Sequence, residues 1–330
     1  MKLISYGFTA LALLVVCSCT GAKNLEFDTS DAEEIDVTFS INIPGKSKTN
    51  KKAHNNIANR LQYAIYDHSS HELRQGSVEL NASAYVAYPI KIKDGSVQLT
   101  LPLVKGEKYD LFVWADHQDA KGNSPYKIDY KNKIVIVNYD GALANDYTRD
   151  AFFYSASEFS ASDESTQQVI SLTRPLAKIE VATYAPDYSN ANRNTNLATY
   201  YTEASKSTIK CSYFKVSEAY TQFDLLKGAV VDSSLVRDVV FSPHSWLNEK
   251  GSTASVKIPT SGKNATYYDI AQNYLFVKDG NINCVFSYGI NDAQFDNNAV
   301  DFTNIPVKTN HNTIIYSKFF SKSKKYLVSI

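Results

Sequence analysis

Strict alternation of apolar and polar residues is the pattern that most limits what this chain can fold into. Its clearest example stops at Pro44 and Gly45, and its apolar positions are Ile35, Val37, Phe39, Ile41 and Ile43. Successive side chains of a β-strand point to opposite faces of a sheet. The alternation therefore predicts a strand with one buried and one solvated face, ended by the Pro-Gly pair.

The same period of two returns along the rest of the 330 residues, while stretches with a helical period are almost absent. The further predicted strands are 61–65, 97–103, 109–113, 134–137, 177–182, 209–216, 220–224, 239–240, 255–258, 267–277, 283–288, 300–305, 313–320 and 326–330. Gly106 suggests a hairpin between 97–103 and 109–113. Segment 190–207 stays open between a helix and a long loop. Short strands separated by turns predict an all-β chain of antiparallel β-sandwiches.

A domain boundary is predicted near residue 172. The alternation lapses between residues 141 and 158 and a new strand begins at Ala177, just after Arg174 and Pro175. Hydrophobic residues make up 44% of the chain, which is enough for two cores. We therefore expect an N-terminal sandwich over residues 35–172 and a C-terminal sandwich over residues 173–330.

The first twenty residues read as a bacterial lipoprotein signal. Met1 and Lys2 precede an apolar run over residues 8–16 that is too short to span a bilayer. Cys19 follows the small residue Ser18 and has Val16 three positions before it, so we predict cleavage after residue 18 and lipidation of Cys19 with palmitate-type acyl chains. Cys17 fits this pattern less well, and an ordinary secretory signal is the alternative.

Thr20 and the residues after it predict the destination of the mature chain. An Asp at this position would retain a lipoprotein in the inner membrane, so Thr20 predicts sorting to the outer membrane. Residues 19–34 contain Asp28, Asp31, Glu33 and Glu34, and they read as a polar tether between lipid and fold. The leaflet is left open, although surface exposure is the expectation.

Charge and motifs exclude several functional classes. The 34 basic and 34 acidic residues balance, so the chain lacks the excess of Lys and Arg that nucleic-acid binding requires. No metalloprotease, nucleophile-elbow, phosphate-loop or dinucleotide motif occurs. Three polar groups contain potential metal ligands: His68 with His71, Asp116 with His117 and Asp119, and Asp140 with Asn145, Asp146 and Asp150. Solvated turns explain each group better, so we expect no metal, no cofactor and no enzymatic activity.

Two cysteines remain in the second half of the mature chain. Cys211 and Cys284 lie on the apparent inward faces of two alternating strands. An exported protein can oxidise such a pair to a disulfide. Buried free thiols are the alternative.

Several segments, taken in order, resemble the fimbrillin family of the Bacteroidales, which contains the subunits of type V pili. The segments are IDVTFSINIPG, RLQYAIYD, LTLPLVKGEKYDLFVWADHQD, VNYDGALANDYTRDAFF, LTRPLAKIEV and NIPVKTNHNTIIYSKFF. The resemblance covers most of the chain. It implies two tandem transthyretin-like Greek-key β-sandwiches, an outer-membrane lipoprotein precursor and a structural role in fimbriae that supports adhesion.

The resemblance also implies assembly by β-strand exchange with other fimbrial subunits. In the family, an arginine-specific protease removes the first strand and a terminal strand of the next subunit fills the groove. Here the exchanged strand would be residues 35–43, and Arg60, the first arginine of the chain, is the candidate processing site. A solvated arginine at a strand end is the alternative for Arg60.

Three questions stay open from the sequence. Residues 326–330 read either as a donor strand or as an edge strand of the second sandwich. The chain suits a shaft subunit or an anchor that keeps its lipid and first strand. The alternative function is a monomeric surface lipoprotein that binds glycans on exposed aromatic rings, with a host or bacterial surface ligand.

Overall fold

A computed structural model describes residues 33–44, 58–73, 96–184, 213–242, 258–260, 263–265, 267–287, 299–319 and 325–330. Within them the strands are β1 (Glu34–Asn42), β2 (Arg60–Asp67), β3 (Ser96–Val104), β4 (Lys108–Asp116), β5 (Tyr126–Asp129), β6 (Ile134–Val137), β7 (Phe152–Ser160), β8 (Gln167–Ser171), β9 (Ala177–Tyr184), β10 (Tyr213–Tyr220), β11 (Gln222–Asp224), β12 (Ala229–Val230), β13 (Leu235–Phe241), β14 (Ile258–Thr260), β15 (Lys263–Ala265), β16 (Tyr267–Leu275), β17 (Gly280–Ser287), β18 (Val300–Val307), β19 (Asn312–Ser317) and β20 (Tyr326–Ser329). These described residues contain short 3-10 turns and no α-helix. The predicted all-β class is confirmed.

The strands form five sheets and one hairpin. Their orders are β3-β1-β8, β2-β4-β7, β12-β11-β6-β5, β13-β10-β17-β18 and β16-β9-β19-β20, with β14-β15 as the hairpin. Most pairs are antiparallel, while β1 with β8 and β9 with β19 run parallel. No described helix is long and apolar enough to cross a membrane.

Two large hydrophobic cores fill the spaces between these sheets, and a small third cluster of Ala182, Tyr267 and Tyr316 lies on sheet β16-β9-β19-β20. The first core lies between sheets β3-β1-β8 and β2-β4-β7, and all its buried residues fall between Val37 and Leu172. The second core combines residues from both halves of the chain, from Ala64 to Phe319. Sheet β12-β11-β6-β5 also draws strands from both halves.

Strand β4 contributes to both cores. Its residues Leu111 and Val113 belong to the first core, while Phe112 and Trp114 belong to the second. Every residue of β4 after Lys108 is buried. This double burial places sheet β2-β4-β7 between the two cores.

Some sequence predictions fail and others lie outside the described residues. The predicted hairpin of β3 and β4 is wrong, because β3 pairs with β1 and β4 pairs with β2 and β7. The chain instead crosses between sheets at Gly106, which has φ +85°, so the two strands face each other through the first core. Strand β7 lies largely within residues 141–158, where the sequence alternation lapses. Segment 190–207 lies outside the described residues.

Residues Glu34–Ile330 form one compact unit, and residues 1–33 are a separate one of which only Glu33 is described. The division of the larger unit into domains at residue 172 stays a prediction. This division can be tested at Phe223 of β11, which lies in the second core. The centroid of its ring is 4.8 Å from that of Phe153, before residue 172, and 5.4 Å from that of Phe276, after it.

We predict that Phe223→Ala lowers the free energy of unfolding by about 3–5 kcal/mol, the usual cost of deleting a buried aromatic ring. Because the Phe223 ring contacts residues from both sides of position 172, unfolding in urea should remain a single transition. Tryptophan fluorescence and circular dichroism measure this transition. Val169→Ala is the control, since Val169 is 75% exposed. Two transitions, of which the substitution moves only one, would instead indicate independently folding domains.

Candidate functional site

Strand β1 occupies the centre of its sheet. It pairs antiparallel with β3 from Glu34 opposite Val104 to Asn42 opposite Ser96, and parallel with β8 from Thr38 opposite Gln167 onward. Backbone hydrogen bonds join its N–H and C=O groups to both neighbours. Removal of β1 would therefore expose the facing backbone edges of both β3 and β8.

The apolar face of β1 fills the first core. Val37, Phe39, Ile41 and Ile43 are buried, and Ile35 packs half-buried against the same core. The ring of Phe39 lies 5.5 Å from that of Phe159 on β7. Each fully buried side chain of this kind contributes about 1.5–3 kcal/mol. We call the space that β1 fills between β3 and β8, lined by the first core, the β1 slot.

Arg60 begins β2 and is buried rather than solvated. Its Nε and Nη2 donate to the two carboxylate oxygens of Asp116 on β4, at 2.7 and 2.6 Å. Asp116 is fully buried and also accepts a hydrogen bond from Ser124 Oγ at 2.8 Å. A protease must take the arginine side chain into its own pocket, so cleavage at Arg60 requires this ion pair to open first. Processing at Arg60 stays a prediction.

A second buried carboxylate of β4, Asp110, lies at the opposite end of β2. It is in contact with His68 Nδ1 at 2.7 Å and accepts from Ser157 Oγ at 2.9 Å and from Glu158 N–H at 3.2 Å. His68 Nε2 is 3.2 Å from Glu158 Oε1. Both ring nitrogens thus face carboxylates, an arrangement that suits the protonated ring. His71 also approaches, with its Nδ1 3.7 Å from Asp110 Oδ2.

These contacts shift two pKa values in opposite directions. The hydrogen bond with Asp110 raises the pKa of His68 above 6.5, with the Asp110 and Glu158 charges adding to the effect. Burial alone would raise the pKa of Asp110, but the hydrogen bonds from His68, Ser157 and the Glu158 N–H outweigh it and lower that pKa below 3.8. The cluster therefore ties β2, β4 and β7 together while His68 is protonated and Asp110 is ionised.

The remaining candidate metal-ligand residues of the sequence form turns, caps and ion pairs within the fold. Asp119 Oδ1 accepts from the N–H groups of Lys121 and Asn123, both at 2.8 Å, which forms a turn. Asp146 caps a 3-10 turn through the N–H of Thr148. Asp150 binds Arg174 through both carboxylate oxygens. Among the residues that the structure describes, no group of His, Cys, Asp and Glu side chains could hold a metal ion.

Of the three cysteines in the predicted lipidation site and disulfide, the structure describes Cys284. Cys284 is buried in β17, and burial raises the pKa of its thiol to about 12. Cys211 and the lipidation candidate Cys19 lie outside the described residues. The disulfide and the lipid anchor therefore stay predictions.

The last residues form an edge strand. β20 pairs antiparallel with β19 and contributes Tyr326 and Val328 to the margin of the second core. Leu327 and Ile330 are exposed. Within this chain, β20 is therefore an edge strand of sheet β16-β9-β19-β20.

Exposed aromatic rings, which the glycan-binding alternative needs, are absent from the residues whose side chains the structure describes. Each described Phe, Tyr or Trp there is buried or half-buried. The exposed large apolar side chains are Leu143, Val169, Val240, Leu327 and Ile330.

Comparison with known proteins gives a family and a group of similar structures. The model of the Family of unknown function (DUF6562) matches residues 28–330. No curated protein matches the sequence. The similar solved structures include fimbrial and adhesion proteins from Bacteroides, Parabacteroides and Porphyromonas species, and a candidate polysaccharide-binding protein from Bacteroides thetaiotaomicron.

Three of these structures illustrate the likeness. A fimbrial assembly protein from Parabacteroides distasonis is 12% identical, with 91% of this chain and 96% of that chain covered and a TM-score of 0.40. The fimbrial anchor protein Mfa2 from Porphyromonas gingivalis is 11% identical, with 89% and 95% covered and a TM-score of 0.38. A candidate adhesin from Bacteroides thetaiotaomicron is 12% identical, with 88% and 93% covered and a TM-score of 0.43.

We predict that the stability of the chain falls as the pH rises above the ordinary histidine pKa, because His68 then loses its proton. A raised folded-state pKa means that the contribution is fully present below the ordinary histidine pKa of about 6.5 and is lost as pH rises through the raised value. Urea midpoints measured across this range should fall for the wild type and change less for His68→Gln. His311→Gln, away from Asp110, is the control and should follow the wild type. Parallel curves for wild type and His68→Gln would contradict the prediction.

Proposed function

Since the chain belongs to the Family of unknown function (DUF6562), whose description names no activity, we propose its function from the geometry of β1. The chain is a fimbrial subunit or membrane anchor subunit of a type V pilus that assembles by β-strand exchange. The central position of β1, paired on both sides and buried on its apolar face, is the observation that carries this proposal.

Strand exchange has a clear physical basis in the β1 slot. A strand removed from the middle of a sheet leaves two rows of unpaired backbone groups and a strip of exposed core. A strand from a second subunit can restore both, because backbone pairing gives affinity and alternate side chains give specificity. One insertion per subunit is a head-to-tail contact, which generates an open filament.

The two ends of β2 explain how the remainder of the fold would persist without β1. Arg60 with Asp116 and His68 with Asp110 fix β2 to β4 at opposite ends of the strand. β4 is held further by the second core, to which β1 contributes nothing. Loss of β1 would therefore open one side of the first core while leaving sheet β2-β4-β7 in place.

Location follows from the N-terminal signal. Lipidation at Cys19 would tether the chain to the outer membrane, facing outward as part of the fimbria, and residues 19–34 would separate lipid from fold. Several acyl chains hold a protein to a bilayer without ready release. A chain that keeps both lipid and β1 serves as the anchor, and one that loses both serves in the shaft. Both forms would support attachment to surfaces.

The exchange proposal is tested with a specific protease site introduced between residues 45 and 57. After cleavage, we expect β1 to remain bound in buffer and to be replaced by a labelled peptide of residues 33–44 once mild denaturant is added and removed. The same peptide carrying Phe39→Asp should bind at least about tenfold more weakly, since it buries a charge in the first core. Fluorescence anisotropy measures both affinities.

Two outcomes would contradict the proposal. One is equal binding of both peptides, which would mean that the apolar face of the strand does not enter the core. The other is a cleaved chain that loses β1 and binds neither peptide while its circular dichroism stays native. Uncleaved protein taken through the same denaturant step is the control for peptide binding outside the β1 slot.

A further inference from the structure

A lysine and an asparagine lie directly opposite each other on two parallel strands of the second half. Lys178 on β9 and Asn312 on β19 are register partners, and Lys178 N–H donates to the backbone oxygen of His311 at 3.0 Å. Glu180 follows Lys178 by two positions, so it points to the same face of the sheet. The three side chains thus meet on one face of sheet β16-β9-β19-β20.

Glu180 contacts both of the other side chains through one carboxylate. Its Oε1 is in direct contact with Lys178 Nζ, and its Oε2 accepts a hydrogen bond from Asn312 Nδ2 at 2.8 Å. The Asn312 Oδ1 atom is buried and has no hydrogen-bond partner among the described residues. The amine and the amide are therefore held next to each other by a group that can accept and return protons.

The surroundings of this cluster exclude most water. The Lys178 and Glu180 side chains are 16% and 8% exposed. The residues opposite them on β16, Tyr274 and Gln272, are buried. The Lys178 amine therefore lies in a largely dry site, in direct contact with a carboxylate that can accept its protons, as a lysine that acts as a nucleophile requires.

We propose that Lys178 and Asn312 form an intramolecular isopeptide bond, with Glu180 as the proton-transfer residue. Glu180 takes a proton from Lys178, and Nζ then attacks Cγ of Asn312. The new Nζ–Cγ bond forms as the Cγ–Nδ2 bond breaks, and two protons lost from Nζ pass by way of Glu180 to the departing nitrogen. The products are an amide and one ammonium ion, so charge balances and no oxidant, reductant or cofactor is required.

The bond would add a covalent link between β9 and β19, which belong to the beginning and the end of the second half. Parallel neighbours have no short connection, so only hydrogen bonds and packing otherwise hold this pair together. A cross-link between them restricts the unfolded chain over the whole intervening segment. This inference is independent of strand exchange, because none of its residues lies in the β1 slot.

The test is peptide mapping of the purified full chain by mass spectrometry. Digestion with trypsin should give one branched product that joins the Lys178 and Asn312 peptides, lighter than their sum by the mass of one ammonia, with no cleavage after Lys178. Glu180→Gln and Lys178→Met should both abolish the branched product, and Lys215→Met, on another sheet, should retain it. Circular dichroism confirms that each variant is folded.

The controls distinguish the isopeptide bond from other reactions of Asn312 that also release ammonia. A succinimide at Asn312 would lose the same mass but would survive Lys178→Met and would give no branched peptide. Native-folded wild type that yields only separate, unmodified peptides overturns the proposal, even if the variants fail to fold. A branched product that persists in Glu180→Gln overturns the role of Glu180.

Discussion

The double burial of β4 is the constraint on which the rest of the structure depends. Its side chains enter the first core on one face and the second core on the other, so the strand has no solvated side after Lys108. A sheet buried on both faces is fixed in position by both cores.

Strand β1 differs from β4 because it serves one core only. Its polar face is solvated or half-buried, and only its apolar face enters the first core. Two buried carboxylates of β4, Asp110 and Asp116, bind β2 at its two ends by charge-assisted hydrogen bonds, which are stronger than neutral ones. The fold thus combines a sheet held by two cores with a strand that, under the proposed exchange, another strand of the same pattern would replace.

Local features of the sequence predicted β1 and the strand class well, because alternation is a property of neighbouring residues. Pairing was harder, since β1 lies between β3 and β8, and β8 is distant in sequence. The unbroken apolar run from Leu111 to Ala115 is the signal in the sequence for a strand buried on both faces, whereas Gly106 alone favours a hairpin that the structure does not contain. Arg60 looked like an isolated basic residue because its partner Asp116 lies on another strand. The Lys178–Glu180–Asn312 cluster was likewise invisible before the register of β9 and β19 was known.

The most direct test that β4 stays folded without β1 is hydrogen exchange measured by mass spectrometry. The sample is a chain cleaved after residue 44, from which the N-terminal fragment has been removed. If β1 is a replaceable strand, faster exchange should be confined to β3 and β8, the two strands that face the β1 slot, while β4, β9 and β16 keep the protection they have in the intact chain. Loss of protection in β4 to the level of the unfolded chain would contradict this, because β1 would then be a requirement of the whole fold.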